Sequence, residues 1–85
     1  MNKNLIGQVE LILEEKRTSM IQSAKSKNLE WVKSEKSINE ITMAYFSVYG
    51  SQIAKEVMDR LGLSSEHANS LVGLAKGNLY DKYNK

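Results

Sequence analysis

The sequence contains no cysteine and no proline, and only one of its 85 residues is a histidine. Without cysteine the chain forms neither disulfide bonds nor thiolate metal sites, which fits a reducing compartment. Without proline, and with only five scattered glycines, few residues interrupt a helix. The sequence therefore predicts an all-α fold, a small bundle of three to five helices that forms a single domain over residues 1–85.

The sequence also lacks a charged block and a long apolar run. Its 12 basic and 10 acidic residues give a net charge of +2 and are spread evenly along the chain. Nucleic acids and anionic membranes usually select clustered positive charge, so we expect no membrane partner and favour nucleic acid less than protein. Polar residues interrupt the first apolar segment, which argues against a signal peptide or membrane span and predicts a cytoplasmic protein.

Apolar residues at helical spacing define a first helix, predicted over residues 3–26. Its apolar stripe consists of Ile6, Val9, Leu13, Met20 and Ala24. Residues 25–28 contain two lysines, a serine and an asparagine, a composition typical of a joint. The segment after them is predicted to add a single turn that packs Trp31 and Val32 onto the core.

A second helix is predicted to begin at a capping box, in which Ser37 and Glu40 each bond the other's backbone N–H group. One face of this helix carries four apolar or aromatic residues that we expect to enter the core: Ile38, Ile41, Tyr45 and Val48. Gly50 can either end this helix or only bend it.

A last helix is predicted after Gly62, with Ser64 or Ser65 as its N-cap and an end near Gly77. Its apolar face consists of Ala68, Leu71, Val72 and Ala75. Residues 77–85 are then predicted to form a flexible, partly ordered tail, unless Leu79 and Tyr80 dock back onto the bundle.

Residues 53–76 also suggest a helix-turn-helix unit that binds DNA. The offsets typical of such a unit are occupied by Met58, Gly62, Ser64, Ala68 and Leu71. The residues that would contact DNA are Arg60, Ser65, His67, Asn69 and Lys76. Affinity for duplex DNA comes mainly from neutralised phosphates, yet no Lys or Arg lies between Arg60 and Lys76. An ordinary helix joint is therefore the favoured interpretation, and a DNA-binding regulator is the alternative.

Groups that could carry catalysis are scarce. His67 is the only histidine, and its neighbours predict an exposed helical surface. The adjacent carboxylates Glu14 and Glu15 suit a solvated face better than an acid–base pair. No residues have metal-ligand spacing, and no glycines form a phosphate loop. We therefore expect no enzymatic activity, no metal and no cofactor.

The segment "LEEKRTSMIQSAKSKNL", Leu13 to Leu29, resembles the first helix of the small aspartyl-phosphate phosphatases of the sporulation phosphorelay. The matching residues are Glu15, Lys16, Arg17, Met20, Ile21, Ala24 and Leu29. Asn28 stands where that family usually has glycine. The resemblance covers about 17 of the 85 residues, and it implies a helical hairpin that binds a response regulator.

The second helix of that family carries a Ser-Gln-Glu-Leu-Asp signature, whose acidic end is implicated in dephosphorylation. This chain has "SEKSINE" in the corresponding region. Ile38 and Asn39 align with the Leu-Asp pair and Tyr45 with a later tyrosine, but Asn39 has no carboxylate. The resemblance therefore implies binding to a response regulator and puts phosphatase activity in doubt.

The stretch "MAYFSVYG", residues 43–50, places aromatic side chains around more than one side of a helix. A domain this small cannot bury every large apolar group, and aromatic residues and methionine are enriched where partners dock. A docking or dimer face would consist of Trp31, Met43, Phe46 and Tyr49. A bundle that uses both helix faces internally is the alternative.

The sequence thus predicts a small regulatory protein that binds another protein stoichiometrically, as an inhibitor or adaptor. Self-association into a homo-oligomer fits the same surface. A short chain rich in Lys, Asn and Ser is also typical of mobile-element and accessory proteins.

Overall fold

The computed structural model of the protein describes residues 2–84, with side chains from residue 5 onwards. Over this range the chain is all-helical, which confirms the predicted small all-α bundle. The elements are α1 (Asn2–Ser26), a 3-10 helix (Glu30–Lys33), α2 (Glu35–Val48), α3 (Gly50–Leu61) and α4 (Ser65–Tyr83). Within the described residues, no helix combines the length and apolar character needed to cross a membrane.

One hydrophobic core joins all four α-helices, and α4 makes its most extensive contacts with α1 and α3. Burial of this apolar surface is the main source of stability in a domain of this size. The core consists of Val9, Ile12 and Leu13 from α1, Phe46 from α2, Ile53, Ala54 and Val57 from α3, and Ala68, Leu71, Val72, Ala75 and Leu79 from α4.

Helices α1 and α4 run in the same direction. Asn78 donates to Glu10 at 2.9 Å, and one turn later Lys82 donates to Glu14 at 2.9 Å. Because both pairs follow the same order along the two helices, the helices are parallel. The end of α4 therefore lies beside the middle of α1, and the last turns of α1 extend past it.

Two helices end in a left-handed residue. Asn28 has φ 56°, and the N–H groups of Asn28 and Leu29 bond the carbonyls of Lys25 and Ala24, each at 3.0 Å. This pair of bonds is a Schellman motif. Gly62, with φ 67°, ends α3. The joints predicted at residues 25–28 and at Gly62 are confirmed.

The N-cap of α2 is Ser34, so the capping box predicted at Ser37 is wrong. The Ser34 hydroxyl accepts the Ser37 N–H at 3.3 Å, and Ser37 lies inside the first turn. Ser34 has the extended backbone of an N-cap, with φ −128°. At α4 the predicted cap is confirmed, because the Ser64 hydroxyl accepts the His67 N–H at 3.1 Å.

A single residue, Tyr49, separates α2 from α3. Its N–H donates to the Tyr45 carbonyl and its own carbonyl accepts from Ile53, both at 2.9 Å. These are helical bonds, so the helical path continues across a short break. Gly50 is the first residue of α3 and has no left-handed backbone.

The predicted end of the last helix near Gly77 is wrong, since α4 continues through it to Tyr83. Leu79 extends the apolar face of α4 by one turn and is only 2% exposed. Residues 77–83 are thus part of the packed helix, and position 85 lies outside the described residues.

Candidate functional site

The inward face of α2 differs from the predicted one. Thr42 and Phe46 are fully buried, whereas Ile41 and Val48 are 37% and 73% exposed. The Thr42 hydroxyl donates to the Ile38 carbonyl at 2.7 Å, so its burial leaves no unpaired polar group. The Phe46 side chain has no polar atom and fills the core. The face of α2 that carries Thr42 and Phe46 therefore points inward.

The predicted docking residues are therefore divided. Phe46 is wrong as a surface residue because it lies in the core. Met43 is half-buried and lines a hollow against α4 together with Leu74. Tyr49 is 43% exposed, and its ring lies 5.0 Å from the ring of Tyr45.

A groove forms where α1 extends past the end of α4. One wall is α1, and the other consists of the 3-10 helix and α2. It has a volume of about 520 Å³. We call it the Trp31 groove, and its apolar lining consists of Met20, Ala24, Leu29, Trp31 and Tyr45.

The rim of the Trp31 groove carries Glu15, Lys16 and Lys27. Lys16 binds Glu56 at 2.6 Å, and Arg60 binds both Glu15 and Glu56 at 3.2 Å. The hydrogen bond from Lys16, reinforced by Arg60 and opposed by desolvation, holds the pKa of Glu56 below its ordinary value of 4.5. These four charges balance one another.

Lys27 differs from the other charged groups of the rim. Among the side chains of residues 5–84, no carboxylate lies within ion-pair distance of it. Lys27 also follows the last turn of α1, where the helix dipole favours positive charge. One end of the groove therefore presents an uncompensated positive charge.

An apolar stripe on the outside of α2 adjoins the groove at Tyr45. We call it the outer stripe, and it consists of Ile41, Ala44, Tyr45 and Val48. At 3.6 residues per turn these positions fall within an arc of about 100°. Ala44 is exposed and Tyr45 half-buried, and no charged residue occurs between Glu40 and Lys55.

A polar cluster joins α1, α2 and α4 on another side of the bundle. Arg17 donates to the Asn39 side-chain oxygen at 3.3 Å, and its guanidinium lies 4.4 Å from the centre of the Tyr83 ring. The Asn39 amide nitrogen donates to the Tyr83 carbonyl at 3.0 Å. Burial raises the pKa of the Tyr83 hydroxyl, and nearby Arg17 opposes that rise.

This cluster defines the position of Asn39, the residue that the phosphatase resemblance aligns with a carboxylate. The Asn39 amide accepts a hydrogen bond from Arg17 of α1 and donates one to the Tyr83 carbonyl of α4. These bonds hold the end of α4 against α1 and α2. The chain as described has four α-helices rather than a two-helix hairpin.

The predicted DNA-contacting residues are not all brought to one surface: Ser65, Asn69 and Lys76 fall on one side of α4, but Arg60 and His67 do not. The Arg60 guanidinium forms ion pairs with Glu15 and Glu56 where α1 contacts α3. Ser65 and Asn69 line a shallow hollow against α3, whereas His67 lies on a different side of α4. Lys76 is half-buried.

Comparison with known proteins gives no match: no family model matches the chain, and no curated protein or solved structure is significantly similar to it. Within the described residues, no three His, Asp or Glu side chains come together as ligands for a metal ion. The shape and chemistry of the surface are therefore the features that bear on function.

Trp31 and Tyr49, two of the predicted docking residues, lie in or near the Trp31 groove, whereas the neighbouring residues Leu29, Ile41 and Val48 were not predicted as docking residues. Ile41 and Val48 have the spacing of one helix face, and that face was predicted to enter the core. Leu29 is not part of a helical apolar stripe, because it lies in the joint that follows Asn28, the left-handed residue that ends α1.

Proposed function

We propose that this protein is a small cytoplasmic regulator that binds one partner protein stoichiometrically, as an inhibitor or adaptor, through the Trp31 groove. The observation that carries this proposal is an apolar groove left open beside an exposed apolar helix face. Four large hydrophobic residues that are exposed lie in the groove or on adjoining turns of α2: Leu29, Ile41, Val48 and Tyr49.

The groove suits a helical segment of the partner with apolar anchors. Such segments place side chains at i, i+3, i+4 and i+7 into a hydrophobic groove. Trp31 would be the main contact, since tryptophan is enriched among residues that dominate binding energy. Lys27 favours a partner that places a carboxylate at that end of the groove, which also assists approach.

The test is capture of the partner from the native lysate with tagged protein, after nuclease treatment and with mass-spectrometric detection. We expect one protein at near-equal amount, reduced tenfold or more by Trp31→Ala because a docking tryptophan typically contributes ~2 kcal/mol or more. Leu74→Ala is the matched control, since Leu74 is exposed but lies on α4 away from the groove.

Circular dichroism separates loss of binding from loss of fold. Trp31 is half-buried in the 3-10 helix and lies outside the buried core. We therefore expect Trp31→Ala to retain its helical content. Equal capture by Trp31→Ala and the unaltered chain would exclude the groove as the binding site.

The resemblance to phosphorelay phosphatases suggests one class of partner. The resembling segment, residues 13–29, supplies one wall of the Trp31 groove, including Met20, Ala24 and Leu29. Binding to a response regulator through this wall, without phosphatase activity, is the corresponding proposal. A purified response regulator that is bound without faster loss of its aspartyl phosphate would support it.

DNA binding by residues 53–76 is the alternative proposal. The left-handed turn at Gly62 and the cap at Ser64 have the helix-turn-helix order. Because Arg60 is occupied by carboxylates, we expect little phosphate contact from it. Binding to duplex DNA that falls steeply with salt and weakens with Lys76→Ala would favour this alternative.

A further inference from the structure

We propose that the end of α4 is a strap that opens as a unit while the rest of the bundle stays folded. The strap consists of residues 77–84. It packs against the side of α2 that carries Asn39 and Met43, which faces away from Tyr45 and the Trp31 groove. Opening exposes the apolar surface beneath Leu79, so the strap controls access to a face that the closed form hides. The inference goes beyond the proposed function and does not depend on it.

The helix α4 is weakened where the strap begins. Gly73 and Gly77 lie inside α4 and are exposed, and an added Cβ atom would meet nothing within 4 Å at either position. Neither glycine has a left-handed backbone. Glycine weakens a helix interior compared with alanine. At these two positions no turn and no close contact within the chain requires it.

Few buried side chains hold the strap in place. Of residues 77–84, only Leu79 belongs to the buried core, and Tyr83 is half-buried. The preceding turns of α4 bury four side chains: Ala68, Leu71, Val72 and Ala75. Segments with few buried apolar contacts open at lower free energy than the core of a protein. The strap is therefore the part of α4 that we expect to open first.

The contact beneath Tyr83 is not fully satisfied. Within the described residues, the buried side-chain atoms that lack a hydrogen-bond partner are the Arg17 Nε and the Tyr83 hydroxyl, and both belong to this one contact. A buried polar atom without a partner costs free energy that it regains when water reaches it. Opening of the strap hydrates both groups, which favours the open form.

The charges released by opening have new partners. In the closed form Glu14 binds Lys82 at 2.9 Å, and Arg17 contacts Asn39 and the Tyr83 ring. Glu14 and Arg17 are three residues apart on α1, the spacing at which opposite charges pair along a helix. Once the strap leaves, these two side chains are free to pair with each other. Each form of the strap therefore has its own set of charge contacts, as expected for a two-state element.

Hydrogen exchange of single backbone amides, measured by NMR at increasing urea concentration, tests this inference. After correction for intrinsic rates, we expect residues 79–83 to exchange roughly a hundredfold faster than residues 71–75. Their exchange should depend little on urea, because opening of the strap exposes little surface. We also expect protection to change in one step at Gly77, since residues 79–83 open together.

Two alanine substitutions locate the start of the strap. Gly77→Ala should slow the exchange of residues 79–83 roughly fivefold, because alanine stabilises the helix of the closed form. Gly73→Ala is the matched control, since position 73 lies in the part of α4 that stays helical in both forms. It should slow only the amides that exchange through global unfolding.

Tyr83→Phe tests the buried hydroxyl. The substitution keeps an aromatic ring beside Arg17 and removes the oxygen that lacks a partner. It should therefore slow the exchange of residues 79–83 several-fold.

Four results would overturn the inference. The first is a gradual rise in exchange from residue 71 to residue 83, as in ordinary fraying, and the second is exchange of residues 79–83 only through global unfolding. The third is equal slowing of these amides by Gly73→Ala and Gly77→Ala, and the fourth is faster exchange in Tyr83→Phe. None of these results bears on the Trp31 groove, so capture of a partner with Trp31→Ala tests the proposed function separately.

Discussion

The two faces of α2 are both apolar, yet one forms core and the other faces solvent. Thr42 and Phe46 are fully buried, whereas Val48, two residues after Phe46, is 73% exposed. A chain of 85 residues has too few helices to cover both faces of α2. The comparison shows that apolar character alone does not identify a core face, and that an unused apolar face is available for association.

Unfolding experiments on Phe46→Ala and Val48→Ala test the difference between the two faces of α2 most directly. Phe46→Ala should reduce the free energy of unfolding by about 3–5 kcal/mol, because it leaves a cavity in the core. Val48→Ala should change it by less than about 0.5 kcal/mol under monomeric conditions, as expected for a surface site. Urea denaturation followed by circular dichroism measures both.

If Phe46→Ala does not fold, Phe46→Leu supplies the same test with a smaller cavity. Equal losses for the substitutions at positions 46 and 48 would show that the inner and outer faces have been assigned wrongly.

The contrast between buried and exposed neighbours extends to the end of α4. Leu79→Ala should destabilise the protein by about 2–5 kcal/mol, since Leu79 is 2% exposed in the core. Tyr80→Ala, at a residue that is 53% exposed, should have little effect. Thermal unfolding of the two variants measures both effects. A negligible effect of Leu79→Ala would support a flexible tail over residues 77–85.

The orientation of both faces of α2 depends on where the helix begins. Ser34→Ala should cost about 1 kcal/mol, because it removes the hydroxyl that accepts the Ser37 N–H. Ser37→Ala should be neutral or slightly stabilising, since alanine favours the helix interior. Chemical denaturation measures both losses. A larger loss of stability for Ser37→Ala than for Ser34→Ala would contradict Ser34 as the N-cap of α2.

The smallest effect is expected from the charged contact between α1 and α3. The folded pKa of Glu56 is lowered, so its ion pairs stabilise the fold above pH 4.5 and lose this effect as pH falls through the folded pKa. Glu56→Gln should therefore be less stable than the unaltered chain at pH 7, and the difference should shrink towards pH 3. A difference that does not vary with pH would exclude this source of acid sensitivity.

Local signals were sufficient for much of the fold. The three- and four-residue spacing of α1 places Val9 and Leu13 in the core. Gly62 followed by Ser64 is enough to predict the end of α3 and the start of α4. In these two segments the sequence contains one apolar or capping pattern and no second pattern that predicts a different packing.

The remaining features depend on contacts between distant residues. In α2 two apolar stripes competed, and packing of Phe46 against the other helices decided between them. The helical state of residues 77–83 depends on α4 packing beside α1: Leu79 continues the spacing of Ala75, but Gly77 gave a competing signal for the end of the helix. The Trp31 groove likewise results from α1 extending past α4, so its position could not be predicted from Trp31 alone.

The charge-free stretch from Ile41 to Ala54 has a consequence for the chain when it unfolds. It is rich in aromatic and β-branched residues and contains no proline, a composition typical of segments that assemble into intermolecular β-sheets once exposed. In the native state the helices α2 and α3 hide its backbone groups. Thermal denaturation at high concentration should therefore end in precipitation, and the lifetime of the soluble protein should be limited by how often this stretch is released.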